Sequence, residues 1–184
     1  STPIKSSAAS DVYKRQPMDY TQGAMKNASK ENSYVCFSEP MSQGTRCHQL
    51  AAYMVFDSPL NMLCDSPTNY QREPESLEFI AGIPTVWNQT FILDGRMGEY
   101  IVTARRQSDT WYVGGLNGWT AREYTLDCSF LGDGEFEVVL FKDGINAHRK
   151  GTDYVKERFP VVSAQLLKLH MAPGGGFALK IEKK

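Results

Sequence analysis

The sequence predicts an α/β segment followed by an all-β antiparallel domain, either a sandwich or a Greek-key barrel. Three observations carry that expectation. Apolar residues recur at helical spacing before Pro84, they alternate with polar ones after it, and turn-forming clusters punctuate the second part at short intervals. The first part reads as helices around a short strand, and the second as strands joined by tight turns.

The chain opens with STPIKSSAASDVYKRQ, which has no periodicity and lacks the apolar core of a secretory signal. Ser6 to Gln16 can be reverse-translated without interruption into a transposase adaptor used in sequencing-library preparation. Residues 1–16 are therefore expected to be an adaptor-derived artefact without ordered packing, and the natural sequence to run from Pro17 with its upstream portion missing. In TRCHQLAAYMVF, residues 45–56, Cys47, Leu50, Ala51, Met54 and Val55 form the apolar stripe of a helix packed on one side. LNMLCD, residues 60–65, is a short apolar run that predicts a buried strand, closed by the turn-rich SPTNYQREP. ESLEFIAGI, residues 75–83, predicts a second helix behind Pro74, with Leu77, Ile80 and Ala81 on its apolar face. Helix, buried strand, helix is the repeat of a parallel α/β structure. So few strands cannot close a sheet, so residues 17–84 are expected to be the end of a larger α/β domain.

From about Thr85 onward the period is two. Trp111 and Val113, Tyr124 through Phe130, Phe136 through Leu140, Leu167 through Met171 and Phe177 through Ile181 each alternate with polar or solvent-tolerant positions. Turn signals fall at Asp94-Gly95, Gly132-Asp133-Gly134, Asp143-Gly144 and Pro173-Gly174-Gly175-Gly176. About eight strands over residues 85–184 suit one independent sandwich or barrel domain.

Composition excludes several functions. The 20 Lys and Arg residues nearly balance 21 Asp and Glu, for a net charge of −1, so there is no basic footprint for nucleic acid or an anionic membrane. No apolar run approaches a membrane span. Cys36, Cys47, Cys64 and Cys128 are too widely and irregularly spaced for a CxxC site, and free thiols are expected, with a disulfide left open. The three histidines are scattered as well, so a metal cluster built from this segment alone is not expected.

Several long, ordered motifs resemble family 97 of the glycoside hydrolases. They are FSEPMSQGTRCHQLAAYMVFDSPLNMLCDSPTNYQREPESLEFIAGIPTVW, DGRMGEYIVTARRQSDTWYVGGLNGW, LFKDGINAHRKGTDY and MAPGGGFALKI. The resemblance covers nearly all of Pro17 to Lys184. It implies a calcium-dependent enzyme acting on α-linked glucosides or galactosides of an oligosaccharide substrate, periplasmic or secreted in a bacterium. It also implies an N-terminal β-sandwich, a catalytic (β/α)8 barrel and a C-terminal β domain. Residues 17–84 would then be the end of the barrel: PMDYT after the seventh strand, residues 45–56 the seventh helix, residues 60–65 the eighth strand and residues 75–83 the eighth helix. Residues 85–184 would be the β domain, and the missing barrel and N-terminal domain would be its partners in the intact protein.

Glycoside hydrolysis normally needs two carboxyl groups across the scissile bond. The resembled family places these, and its calcium-binding glutamates, upstream of this stretch. No catalytic residue and no metal ligand is therefore assigned, and the chain alone is expected to be inactive. Barrel enzymes build their sites from loops at the C-terminal ends of the strands. Asp19 and Tyr20, after strand seven, and Asp65 and Ser66, after strand eight, are the candidate substrate contacts. Asp65-Ser66-Pro67 and Asp19 equally suit turn caps. Two other functions compete: a carbohydrate-binding β domain that stacks sugars on Trp87, Trp111, Trp119, Tyr100 or Tyr112, and a structural domain that braces the barrel.

Overall fold

The computed structural model describes residues 21–184. The expectation for residues 1–16 and the candidates Asp19 and Tyr20 lie outside the described residues. The first part holds β1 (Thr21–Gln22), β2 (Asn27–Ala28), β3 (Ser42–Gln43), α1 (Arg46–Val55), β4 (Met62–Leu63), α2 (Pro67–Gln71) and α3 (Pro74–Ala81). The second holds β5 (Gln89–Arg96), β6 (Tyr100–Gln107), β7 (Thr110–Asn117), β8 (Arg122–Asp127), a 3-10 turn at Cys128–Leu131, β9 (Glu135–Asp143), β10 (Tyr154–Val162), β11 (Leu166–Met171) and β12 (Gly176–Lys183).

The second part is an antiparallel sandwich of unequal layers. One layer is a six-stranded sheet in the order β10-β9-β12-β7-β6-β5, and the other is the β8–β11 ribbon. The alternating residues fill the space between them: Val113, Leu126, Val138, Leu140, Leu169, Met171, Leu179 and Ile181 are all essentially inaccessible to water. Burial of this much apolar surface, on the order of 1.5–3 kcal/mol per large side chain, is the main stabilising term of the layer pair. Cys128 and Phe130 lie in the 3-10 turn after β8, so the alternation there ends at Leu126. The turn expected at Asp94-Gly95 falls three residues later, at Met97–Glu99 with Gly98 at φ +77. A bulge between Ile92 and Asp94 absorbs the shift and keeps Asp94 and Gly95 inside β5.

The opposite face of the six-stranded sheet is covered at its centre. Helix α1 lies on it, and Cys47, Leu50, Ala51 and Met54 make a second core with Tyr112, Leu116, Phe141 and Ala178. Close approach is possible because β7 has no side chain at Gly114. A Cβ there would stand 2.8 Å from the Ala51 carbonyl oxygen and 3.0 Å from Val55 Cγ2. Both ends of α1 are held by the sheet layer. At the N-terminus, Thr45 Oγ1 accepts from the His48 N–H at 3.1 Å. The Thr45 N–H donates to the Gly174 carbonyl, and His48 Nδ1 meets the Gly175 carbonyl at 2.9 Å. At the C-terminus, Arg105 of β6 donates to the Val55 carbonyl at 3.3 Å, a cation placed at the negative end of the helix.

Two expectations for the first part need correction. The run 60–65 forms a strand of only two residues, and Met62 and Leu63 are 38% and 46% exposed, not buried. Its single strand neighbour is β1, itself two residues long, and nothing among the described residues covers the pair from the far side. The turn-rich stretch after it contains α2, started by the Ser66 cap with Pro67 in the first turn. Helix α3 buries Ser76 and Phe79, while Ala81 is exposed, so its inward face is rotated from the expected one. The reason is Arg46: Ser76 faces its guanidinium.

Arg46, at the start of α1, is completely buried. Nε donates to Asn27 Oδ1 at 2.7 Å, and Nη1 donates to Ser76 Oγ at 3.0 Å and to Glu73 Oε2 at 3.1 Å. Nη2 donates to the Met25 carbonyl, and the backbone N–H to the Gly151 carbonyl at 2.7 Å. Its guanidinium also lies 5.9 Å from the centre of the Tyr154 ring. This one residue thereby fastens the loop after β1 and helix α3 to α1 through its side chain, and the β9–β10 connection through its backbone.

Asp143, the last residue of β9, is buried beneath the Gly174-Gly175-Gly176 turn. Its Oδ2 accepts from the Ala172 and Gly176 N–H groups at 2.9 and 2.8 Å. A Cβ on Gly175 would sit 1.9 Å from that oxygen, so the turn can close over the carboxylate only with glycine. Burial pushes the Asp143 carboxyl above its ordinary value, against the opposing pull of Thr45 and the two N–H groups.

Three outcomes follow. Gly114→Ala drives a methyl into the α1 backbone and is expected to cost about 1–3 kcal/mol by urea unfolding, where a cost near zero would show that the helix can shift outward. Arg46→Ala leaves the acceptors around it unmatched and is expected to cost about 3–5 kcal/mol, with Arg46→Lys intermediate because the planar fork is lost. Because its folded-state pKa is raised, Asp143 opposes stability as pH rises through the interval from its unfolded to its folded pKa. Wild type should therefore gain stability relative to Asp143→Asn as pH is lowered through that interval, and thermal melts at a series of pH values measure it.

Candidate functional site

β1 and β4 run parallel, with Thr21 opposite Met62 and Gln22 opposite Leu63. Their C-terminal ends therefore lie side by side, and the segments leaving them, Gly23–Met25 and Cys64–Ser66, form one rim. Asp65 occupies the centre of that rim. Its Oδ2 accepts from the Met25 N–H at 2.8 Å, and its Oδ1 accepts from the Ser66 N–H and from Asn69 Nδ2, both at 2.7 Å. Three of the roughly four lone-pair sites of a carboxylate are thus used within the chain. Asp65 holds the two exits together. Ser66 is exposed, and its Oγ accepts from the Asn69 N–H at 3.3 Å as the cap of α2.

The floor beneath the rim is fixed by groups that carried no signal of their own in the sequence. Tyr70 of α2 donates its buried hydroxyl to the Gly23 carbonyl at 2.9 Å, and Tyr53 of α1 donates to the Gln22 carbonyl at 3.2 Å. The Ala24 N–H donates to Ser42 Oγ at 3.0 Å, and the Cys64 N–H donates to the Gln22 carbonyl at 3.2 Å. Arg46 takes the Met25 carbonyl from below. Burial pushes the Tyr70 hydroxyl up to about 12, and burial followed by the Asp65 charge raises the Cys64 thiol. Both groups stay protonated near neutral pH. They can position the rim but supply neither a base nor a nucleophile.

The four cysteines are free thiols. Among the described residues no group of three or more His, Cys, Asp or Glu side chains converges to hold a metal. No helix among them is long and apolar enough to cross a membrane.

The tryptophans do not form a common sugar platform. Trp111 is buried in the sandwich core, stacked on Phe91 at 5.8 Å and edge-on to Phe130 at 5.1 Å. Trp87 packs edge-on against Tyr112 at 5.3 Å beside the α1 core, beneath the Arg105 guanidinium. Trp119 is 40% exposed and lies apart from both, against Gly174. Two of the three rings brace the joint or the core.

Comparison with known proteins places these features in a family. A retaining alpha-galactosidase of Bacteroides thetaiotaomicron is 68% identical over 166 residues, which are 90% of this chain and 25% of that protein. The chain spans about a quarter of the length of the curated relatives it matches. Among solved structures, a glycoside hydrolase family 97 enzyme from Pseudoalteromonas sp. strain K8 in complex with acarbose superposes with a TM-score of 0.72 at 35% identity. That match covers 77% of this chain and 23% of the other. A beta-arabinopyranosidase matches at 0.61 and 30% identity, over 74% and 21%. The family model described as "Glycosyl-hydrolase 97 C-terminal, oligomerisation" matches residues 86–182, more than half of the chain. Its span begins just before β5 and ends within β12, so the sandwich described above is the C-terminal domain of glycoside hydrolase family 97, and this chain belongs to that family.

Proposed function

We propose that this chain is the C-terminal part of a retaining α-galactosidase, in which residues 85–184 serve as an oligomerisation domain and residues 17–84 complete the catalytic (β/α)8 barrel. The observation that carries the reading is the 68% identity to the Bacteroides enzyme, continuous over nine tenths of the chain. The local geometry supports it. β1, α1 and β4 make a parallel strand-helix-strand unit, the repeat of such a barrel. The exposed Leu60, Met62 and Leu63 are apolar in the way that strands flanked by further strands and helices are.

In this reading the rim of Gly23–Met25 and Cys64–Ser66 is one sector of the active-site mouth, and Asp65 sets the spacing of its two loops. The catalytic carboxyls, and the calcium that the resemblance implies, belong to the upstream part. The intact enzyme would work on oligosaccharides in the periplasm or outside a bacterial cell. The sandwich also braces the barrel, because α1 is shared between them: one side of it faces the sheet, while Tyr53 and Arg46 hold the strand exits.

The test is to express the chain with and without its upstream sequence and assay nitrophenyl α-galactoside and α-glucoside. The 184-residue chain is expected to hydrolyse neither. The extended protein should prefer the galactoside and release it first as the α-anomer, read by proton NMR. Asp65→Ala in the extended protein should lower kcat/KM about tenfold or more, as loosening of a positioning loop does. Turnover by the short chain, abolished by a carboxylate substitution within residues 17–84, would overturn the reading.

A further inference from the structure

Helix α1 covers only part of the sheet face it rests on. It lies over β7 and the strands to either side, β12 and β6. Next to it on one side is α3, whose Phe79 ring meets Phe141 of β9 at 4.8 Å. On the other side, over β6 and β5, is an open groove of about 560 Å³ with Ile92, Met97, Ile101 and Leu116 in its lining. Ile92 is 62% exposed and Met97 fully so, and exposed apolar groups gathered along a groove mark a contact surface.

The strand register puts the floor of the groove on the α1 face. Ile92 stands opposite Thr103, and Thr103 opposite Gly114, the residue onto which α1 descends. Gly95, Ile101 and Leu116 form another row on the same face, and both Ile101 and Leu116 pack in the α1 core. Leu116 also pairs with Gly176, which lies against His48, so the groove is level with the start of α1. The groove therefore continues a joint that α1 fills only in part, and what completes the joint is a neighbour of α1.

Spacing and chain order identify that neighbour. Strands in a sheet lie about 4.8 Å apart and packed helices about 8–10 Å apart, so adjacent helices on one sheet face sit about two strands apart. α1 on β7 and α3 on β9 show that step. The same step taken from β7 in the opposite direction ends at β5. In a (β/α)8 barrel the helices follow one another round the ring in chain order and in one sense. With α3 after α1 on the β9 side, the helix on the β5 side is the one before α1, which leads into β1.

We propose that the groove over β5 and β6 is the seat of that helix, carried by the upstream part of the intact enzyme and docked through an apolar stripe on Ile92, Ile101 and Leu116. Gly95 places no side chain in its way, and Met97, long and unbranched, closes over it from the hairpin turn. This rests on the barrel reading and names the surface through which the sandwich meets the barrel beyond α1 and α3.

Hydroxyl-radical footprinting, read residue by residue by mass spectrometry against an added reference peptide, compares the 184-residue chain with the extended protein. Labelling of Ile92 and Met97 is expected to fall several-fold in the extended protein at every protein concentration. A photocrosslinking residue in place of Met97 should join to the segment that immediately precedes β1. Ile92→Asp should lower the melting temperature of the extended protein, where it buries a carboxylate against the helix, and leave that of the short chain unchanged. An equal loss in both chains, a crosslink to any other segment, or protection that vanishes on dilution as a second copy would give, overturns the proposed occupant. The exposed Leu60 and Leu63 separate this proposal from the reading beneath it. If they become protected on extension while Ile92 and Met97 do not, the groove assignment falls and the barrel reading stands. If Leu60 and Leu63 stay labelled as in the short chain, the barrel reading falls and the proposal with it.

Discussion

A fully buried guanidinium is the constraint from which the first half of this structure follows. Removing a charge from water costs several kcal/mol unless hydrogen bonds replace the lost hydration. The Arg46 guanidinium meets that requirement with four acceptors, Asn27 and Met25 before α1 and Glu73 and Ser76 before and in α3, while its backbone N–H takes the Gly151 carbonyl between β9 and β10. The position of α3, the course of the loop after β1 and the seat of α1 are settled together.

The second constraint is steric. A helix resting on a sheet is ordinarily separated from it by two layers of side chains. Here β7 removes one layer locally with Gly114, and the Ala51 backbone comes down onto the strand. Tyr112 and Leu116 on either side of that gap then flank the helix, and Tyr112 reaches past it to donate to the Gly82 carbonyl at 3.0 Å. The centre of the sheet consequently has two dry faces, one toward the β8–β11 ribbon and one toward α1. That is why β7 reads as nearly continuously buried while β8 and β11 alternate.

This difference explains what was legible in the sequence. Strands with one wet face announce themselves: Leu167, Leu169 and Met171 against Lys168 and His170 gave β11 directly, and the α1 stripe was as clear. Strands or turns whose pattern depends on a neighbour were not. Asp94-Gly95 has the composition of a hairpin turn, but a bulge moved the turn to Gly98. The run 60–65 has the composition of a buried strand, but burial needs covering elements and the described residues supply none. Of the candidate site, Asp65 and Ser66 were legible as residues that shape a turn. The roles of Tyr70, Ser42 and Arg46 were not, because each acts on a backbone group 18 to 47 positions away.

The strand order carries a consequence for how the molecule is made. β12 follows its sheet partners in the chain, yet it sits in the middle of the sheet, between β9 and β7. Until it emerges from the ribosome, β9–β10 and β5–β6–β7 are two separate pieces with open edges, and α1 lacks part of the surface it rests on. The six-stranded sheet therefore cannot assemble strand by strand in chain order. All of β5 to β12 must be available before the central gap is filled, and pairings that span so much sequence are slow to form. The nascent protein spends that interval with strand edges unpaired, a stage at which chaperones or neighbouring chains can engage it.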